Sequence, residues 1–394
     1  MHQRSAPTIY ALVAVAAIAV SLGAQLASFV LHHEACPLRM LRVGARYAQL
    51  AGLSPTEMQD AVVWDGFDGQ FFFYLARDPL VTPATQLALD APRLRARRIG
   101  FPLMGALLGG GKTGAAWGLL LAEALASLGL LALVQAAAWK HCASPLWGLA
   151  VPLCLPFVLS RELVTAELPA ALLIVAAVEA RDREHRRLAV LLLGAAGLVK
   201  EVTLLVPLAF AAAERDRVWY QGAATWLYAF VPFLVWESFL LVRIPSDGDV
   251  SALLSNLSLP GEGVGRALAH HLSTFVEGGR RVKALGLLLA TGWYIVGAGG
   301  ALLLCSRRRT PARVFAVAGA LLVPLLRFGG GPQALDEVFN FGRQLFLLPT
   351  AAIVALVQEK AANTRAEEIG LGVWLACGSV LGAAWLVQEI ALGG

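Results

Sequence analysis

Long apolar stretches separated by short polar or basic loops run through almost the whole chain. A stretch of about 20 apolar residues is long enough to cross a bilayer as a helix. We interpret eleven stretches as spans, several of them short. They are residues 9–31, 115–138, 145–160, 167–180, 187–199, 202–213, 219–242, 283–304, 314–328, 344–358 and 369–390. The pattern predicts an all-α, polytopic helical bundle in the membrane, formed as one domain by residues 1–394.

The apolar segment at residues 99–111 decides how the spans alternate. It has 13 residues, too few to cross a bilayer but suitable for an interfacial or re-entrant helix. If it does not span, the basic loops at 181–187 and 307–313 lie on the same side as the N-terminus. Short loops rich in Lys and Arg remain in the cytoplasm. We therefore predict a cytoplasmic N-terminus, with 32–114 and 243–282 as the two large extracytoplasmic loops.

Composition agrees with this membrane assignment. Of the 394 residues, 58% are hydrophobic and 15% are charged, and the mean hydropathy is +0.66, whereas soluble domains carry about 25% charged residues. A net charge of +5 also suits a nucleic-acid-binding protein. The basic residues lie in loops between apolar stretches, however, so we expect membrane lipid and not nucleic acid as a partner. The richness in Ala, Leu and Arg is typical of a bacterial protein, which predicts a bacterial cytoplasmic membrane.

The first outer loop contains an acidic stretch, Trp64-Asp65-Gly66-Phe67-Asp68-Gly69-Gln70, followed by the aromatic run Phe71–Tyr74. Two carboxylates three residues apart, with glycines that free the backbone, suit a general base near the bilayer surface. The alternative is an Asp-Gly turn followed by an amphipathic helix at the membrane interface, where aromatic side chains are common. Spacing alone leaves both interpretations open.

Two further parts of this loop are basic. Four arginines, at positions 93, 95, 97 and 98, precede the interfacial segment. Guanidinium groups suit phosphate recognition, and the alternative is anchoring to lipid headgroups. Upstream, the pattern of Pro37–Leu50 predicts one amphipathic interfacial helix, to which we assign no chemistry.

Charged residues also interrupt the apolar stretches at Ser160–Glu167 and Val199–Glu201. Charges at membrane depth are costly and indicate functional sites. The alternative is local pairing within each loop, between Arg161 and Glu162 or between Lys200 and Glu201. Arg343, just before the tenth span, suits either contact with a lipid phosphate or a position marking the interface.

Taken together, these residues resemble the GT-C superfamily of membrane glycosyltransferases, which take sugars from polyprenyl-phosphate carriers. The chain looks most like bacterial members linked to cell-surface glycopolymers, whose Tyr-Asp-Gly-Gln-Phe-type motif corresponds here to Phe67-Asp68-Gly69-Gln70-Phe71. The stretch Arg97–Pro102 resembles the family's Arg-rich, Pro-containing segment. Similarity extends to Glu167, to Lys200-Glu201 and to Gly342-Arg343, but it is dense only over about residues 65–102.

The resemblance implies that Asp68 acts as the base on the acceptor hydroxyl, with Asp65 as second candidate. A second acid, for which Glu167 is the candidate, assists or binds a divalent cation such as Mg²⁺ or Mn²⁺ together with Asp68. Relatives often have Asp at this second site, where the present chain offers only Glu162 and Glu167. The implied phosphate-binding residues are Arg97, Arg98, Lys200 and Arg343. The other implied site-lining residues are Gln70, Glu162 and Glu201.

The function implied by this resemblance is transfer of a sugar from a polyprenyl-phosphate donor to a glycan, lipid or protein acceptor at the extracytoplasmic face. Direct displacement at the anomeric carbon inverts its configuration. The alternatives are a transporter or flippase for a lipid-linked precursor and a non-catalytic assembly subunit. Transporters favour inverted repeats and ionisable residues at the bilayer midplane. The sequence shows no repeat, and its charges concentrate at one face, which favours the enzyme.

Overall fold

The computed structural model describes residues 7–60, 66–213, 224–244, 262–277, 281–307, 310–325, 346–358 and 363–392. Its described part is helical and contains no strand, so the all-α prediction is confirmed. The helices of the N-terminal half are α1 (Pro7–Leu31), α2 (Pro37–Met40), α3 (Ala45–Leu50), α4 (Pro55–Gln59), α5 (Asp68–Arg77), α6 (Pro83–Leu87), α7 (Pro92–Ala96), α8 (Gly100–Leu108), α9 (Ala115–Lys140), α10 (Ala150–Leu153), α11 (Leu155–Leu163), α12 (Glu167–Asp182) and α13 (Arg186–Val199).

The C-terminal half is also helical where the structure describes it. The helices of this half are α14 (Leu205–Ala213), α15 (Ala224–Arg243), α16 (Glu262–Glu277), α17 (Arg281–Arg307), α18 (Pro311–Leu325), α19 (Leu347–Val357) and α20 (Arg365–Leu392). Among the described residues, three short stretches are 3-10 helices: Pro145–Leu149 before α10, Glu201–Leu204 before α14, and Tyr228–Phe230 within α15.

Among the described residues, five helices are long and apolar enough to cross a membrane, namely α1, α9, α15, α17 and α20. The count rises to six if the segments Pro145–Leu153 and Leu155–Leu163, which meet at 44°, form one broken span. Helices α12, α13, α18 and α19 also lie where spans are predicted but have only 16, 14, 15 and 11 residues. The chain is therefore a multi-pass helical bundle. Its total of eleven crossings stays a prediction.

Side-chain contacts give the helices their directions. At one end of α1, the Tyr10 hydroxyl donates to the carbonyl of Ala143 at 2.7 Å. At its other end, the Ser28 hydroxyl donates to Glu162 at 2.5 Å. We call the end of the bundle with Glu162, Glu167 and Lys200 the site end, and the end with Tyr10, Lys140 and Glu179 the far end.

Helices α9 and α12 lie side by side and run in the same direction between these two ends. A Cβ atom placed on Gly129 would lie 3.2 Å from the side chain of Leu172. Further along both helices, the Lys140 amine donates to Glu179 at 3.1 Å. The basic segment 181–187 therefore begins at the end opposite to the breaks at 161–166 and 200–201, as the sequence predicts.

The break between α10 and α11 follows from two prolines. Pro156 has no N–H, so the carbonyl of Pro152 lacks the donor that a continuous helix would place four residues later. Arg161 replaces this donor, since its two terminal nitrogens each lie 3.4 Å from that carbonyl oxygen. A buried guanidinium thus caps the broken helix from inside the bundle.

Helix α8 forms a tight hairpin with the start of α9. Its nine residues extend about 14 Å, which agrees with a segment too short to span. Glycines on both helices bring the backbones close together. A Cβ on Gly118 would lie 1.9 Å from the carbonyl oxygen of Gly105, and one on Gly114 would lie 1.9 Å from that of Gly109.

The prediction of one helix over Pro37–Leu50 is wrong. The segment forms α2 and α3, separated by a turn in which Arg42 has a φ of 53°. Leu38 and Met40 are buried in the protein. The segment packs against the bundle because these apolar side chains belong to the core, and its turn receives the acidic motif.

We expect Gly118→Ala to destabilise the protein by about 1–3 kcal/mol, because the added methyl group meets backbone that cannot move aside. Gly23→Ala is the matched control, since a Cβ there has nothing within 4 Å and alanine favours a helix by about 0.5–1 kcal/mol. Thermal unfolding of the two purified variants in detergent checks this. Equal melting temperatures would show that the α8–α9 contact is loose.

Candidate functional site

The acidic motif is folded against the turn between α2 and α3. Gly66 has a φ of +79°, and a Cβ there would lie 2.4 Å from the carbonyl oxygen of Arg42. The backbone N–H of Phe67 donates to this carbonyl at 3.0 Å. The side-chain oxygen of Gln70 accepts from the N–H of Gly44, also at 3.0 Å. Gly66 and Gln70 therefore dock the motif onto its neighbour, and Gln70, at 1% exposure, is buried.

Two other glycines let four distant segments meet. A Cβ on Gly69 would lie 3.0 Å from the carbonyl oxygen of Leu163, at the end of α11. A Cβ on Gly100 would lie 2.8 Å from the backbone nitrogen of Val199, at the end of α13. The start of α5 thus touches the break at 161–166, and the start of α8 touches the break at 200–201. These contacts bring the charged segments together at the site end.

Helix α5 begins directly at the acidic motif, and its aromatic run is buried in the protein. Phe71, Phe72, Phe73 and Tyr74 are each at most 5% exposed. Phe72 packs edge-on against Phe101, with ring centroids 5.3 Å apart. The aromatic run is a core element that fixes the helix and therefore the position of Asp68 at its start.

Asp68 lies in the first turn of α5, where the helix dipole favours a negative charge. Arg95 donates to its Oδ1 at 2.9 Å and also binds Asp90 through two bonds of 2.8 Å. Burial alone would lower the pKa of Arg95, but the two carboxylates raise it above its ordinary value. The guanidinium also lies over the Phe71 ring, 4.5 Å from its centroid. Arg95 is thus a fixed cation that lies directly against the Asp68 carboxylate.

Glu167 and Lys200 form a buried ion pair between α12 and the end of α13. The lysine amine donates to Oε1 of Glu167, and the two side chains are 2% and 1% exposed. The amine also lies 5.3 Å from the centroid of the Phe346 ring. Lys200 thus forms a long-range pair with Glu167, and its charge also acts on the neighbouring Glu201, which was the local alternative.

Glu201 pairs with Arg98 through two hydrogen bonds of 2.8 and 2.7 Å. Burial would raise the pKa of Glu201, but the guanidinium of Arg98 lowers it to about 2. In the break at 161–166, the alternative of local pairing holds as a wide contact, because Arg161 Nε lies 3.9 Å from Glu162 Oε1. Glu162 accepts its short bond from Ser28 instead.

Arg93 and Arg97 both donate to Glu237 of α15, over 2.5–3.0 Å. Two guanidinium groups on one carboxylate leave the trio with a net positive charge. Sequence reasoning missed Glu237, although a lone carboxylate inside an apolar helix is itself a signal of a partner or a site.

The same signal would have found Glu123, which is fully buried in α9. The Ser160 hydroxyl lies 2.8 Å from its Oε1 and also 3.1 Å from the carbonyl oxygen of Thr165. Glu123 therefore lies beside the break at 161–166. Its hydrogen bond with Ser160 connects α9 to the cluster formed by Glu162, Glu167 and their partners.

The divalent cation that the family resemblance implies does not fit the donor set. Asp68 and Glu167 are each held by a cationic side chain. Within the described ranges, neither belongs to a group of three side chains with metal-ligand spacing.

A polar cavity of about 300 Å³ lies at the other end of α5 from Asp68. The ten residues of this helix separate the two by about 15 Å. The carboxylate of Asp78 already has partners within the protein, because its Oδ2 accepts hydrogen bonds from Thr82 and Thr85. The polar side chains around the cavity are Tyr74, Arg77, Asp78, Thr82, Thr85 and Lys112.

The structure thus brings most of the predicted site residues to one end of the bundle. These are Asp68, Gln70, Arg97, Arg98, Glu162, Glu167, Lys200 and Glu201. Asp65 and Arg343 lie outside the described residues. No protein-family model, curated protein or solved structure matches the chain. The residues at the site end are therefore the basis for inferring a function.

We expect Lys200→Met to destabilise the protein by about 3–5 kcal/mol, because it leaves Glu167 buried without its cation. The double variant Lys200→Met, Glu167→Leu should recover most of this loss, since both charges are then removed. Lys112→Met is the control, because Lys112 is exposed. A double-mutant cycle of thermal unfolding measures the effect, and additive losses would contradict it.

The pair between Arg98 and Glu201 should make stability depend on pH. The folded-state pKa of Glu201 is about 2 and its ordinary value is 4.5. Its contribution is therefore present above pH 4.5 and is lost as the pH falls through the folded-state pKa. We expect the difference in melting temperature between wild type and Glu201→Gln to shrink from about pH 5 downward. The exposed Glu184→Gln is the control, and a constant difference for Glu201→Gln would contradict the prediction.

Proposed function

We propose that this chain is a glycosyltransferase that moves a sugar from a polyprenyl-phosphate carrier to a glycan, lipid or protein acceptor. The observation that carries the proposal is that charged side chains from several distant segments lie together at one end of the helical bundle. A carboxylate at a helix start, Asp68, lies among segments that supply Arg95, Arg98 and Lys200. The resemblance of residues 65–102 to the GT-C superfamily supports the same chemistry.

Asp68 acts as the base in this proposal. Its carboxylate takes the proton of the acceptor hydroxyl as the hydroxyl oxygen forms a bond to the anomeric carbon. The bond between that carbon and the carrier phosphate breaks, and polyprenyl phosphate leaves with the electron pair. Attack opposite to the leaving group inverts the anomeric configuration. Arg95 is a positioning residue here, since its guanidinium holds the Asp68 carboxylate in place.

Cations around this carboxylate stabilise the leaving phosphate as its charge develops. The trio of Arg93, Arg97 and Glu237 has a net positive charge and suits an anionic group. Lys200 and Arg98 already hold carboxylates, so a phosphate would share them with Glu167 and Glu201. Glu167 thus orients Lys200 in this proposal.

The proposal includes a location. The reaction takes place at the extracytoplasmic face of a bacterial cytoplasmic membrane, with the N-terminus in the cytoplasm and residues 32–114 in the first outer loop. The far end, which contains Lys140 and Arg183, then faces the cytoplasm, in agreement with the distribution of basic residues in short loops.

A transporter or flippase for a lipid-linked precursor is the second candidate. The observation that favours it is the complete burial of Glu123 and Arg161, because transporters place ionisable residues inside the bundle. Movement of a fluorescent polyprenyl-phosphate lipid across proteoliposomes, with no loss of its sugar, would support it. A non-catalytic assembly subunit would show neither activity.

We expect Asp68→Asn to lower sugar transfer by at least about 100-fold, the usual contribution of a general base. The assay measures release of radiolabelled sugar from polyprenyl-phosphate donors by the purified protein, with extracted envelope glycans and lipids as acceptors. Asp90→Asn is a matched control, because it removes the other carboxylate bound to Arg95; it should lose far less activity. Transfer by Asp68→Asn at the wild-type rate would exclude Asp68 as the base.

A further inference from the structure

A second group of titratable side chains lies at the far end, away from the site described above. His141 follows the last residue of α9, and Glu179 and Asp182 lie in the last turn of α12. One ligand atom from each of the three lies within 4.8 Å of the others. Glu179 and Asp182 are three residues apart on a helix and therefore project from the same face.

Two atoms of this group lack the partner that buried polar atoms normally have. Glu179 is 8% exposed, and its Oε2 has no hydrogen-bond partner. The ring nitrogen Nε2 of His141 is also buried without a partner. The other oxygen of Glu179, Oε1, accepts from Lys140 and Arg183. One oxygen of the carboxylate thus binds two cationic side chains, and the other is buried without a hydrogen-bond partner.

We propose that His141, Glu179 and Asp182 bind one divalent transition-metal ion of the Zn²⁺ class. One imidazole nitrogen and two carboxylate oxygens form a ligand set that suits Zn²⁺, whereas Mg²⁺ and Ca²⁺ favour oxygen ligands alone. Ligands about 2 Å from a common ion lie up to about 4 Å apart. Small side-chain rotations therefore suffice to close the present spacing.

The electrostatics of the group point the same way. Glu179 and Asp182 place carboxylate oxygens within 4.8 Å of each other, and two carboxylates at this distance are stabilised by a cation between them. The hydrogen bonds of Lys140 and Arg183 both go to the opposite oxygen of Glu179, Oε1, so Oε2 has no hydrogen-bond partner.

The bound ion would tie together the ends of α9 and α12. The opposite ends of these two helices carry Glu123 and Glu167, so the ion would hold a pair of helices on which the site end depends. This inference does not rest on the proposed transferase activity, because the three ligands lie at the other end of the bundle.

The test uses the full-length protein in detergent, with Cys142→Ser introduced because this exposed thiol lies next to His141. After treatment with a chelator, Zn²⁺ is titrated by calorimetry and the retained metal is measured by mass spectrometry. We expect about one zinc ion per chain. His141→Gln, Glu179→Gln and Asp182→Asn should each weaken binding by more than about tenfold, since loss of even an outer partner has this effect.

His185→Gln and Glu184→Gln are matched controls, because both residues are exposed in the adjoining loop and should bind zinc as wild type does. Lys140→Gln should bind zinc more tightly, since a competing cation is removed. Asp182 is exposed, so its variant tests the site even if the variant of buried Glu179 does not fold. Unchanged zinc binding by Asp182→Asn and His141→Gln, or absence of stoichiometric binding by wild type, would overturn the proposal.

Discussion

A charge inside a bundle of membrane helices needs an opposite charge close by, because the surroundings solvate ions poorly. Lys200 and Glu167 meet this constraint for each other at 1% and 2% exposure. Their contact fixes the end of α13 against the start of α12. The pairs Arg98–Glu201 and Arg95–Asp68 then extend the same compensation into the segment that contains α5 and α7. The site end is thus held by ion pairs between segments far apart in sequence, and each pair limits where the next can lie.

Backbone contact makes these ion pairs possible. Gly69 and Gly100 allow α5 and α8 to approach the ends of α11 and α13 more closely than residues with a Cβ would permit. The acidic motif therefore combines two kinds of residue. Gly66, Gly69 and Gln70 set its position, and Asp68 is left at the helix start with Arg95 beside it.

The sequence predicts the helical class, the positions of the apolar segments and the grouping of charged loops at one end. These features follow directly from the pattern of apolar residues and the distribution of basic residues. The sequence does not show which charged residues pair with each other. Local spacing left open whether Lys200 pairs with its neighbour Glu201, and packing of α12 against α13 places the amine against Glu167. Burial of the aromatic run of α5 was also missed, since an interfacial helix and a core helix carry the same residues there. Glu123 and Glu237 were detectable, because each is a lone carboxylate within an apolar helix.

The shared guanidinium of Arg95 has a consequence of its own. Asp68 and Asp90 divide one cation between them, so the two carboxylates compete for it. When Asp68 gains a proton, its attraction for Arg95 falls and the guanidinium is left to Asp90 alone. The charge on Asp68 thus affects how strongly Arg95 binds Asp90 within the segment from Asp90 to Arg95. Protonation of Asp68 would therefore weaken the contact that links the start of α5 to Arg95 and leave Arg95 paired with Asp90.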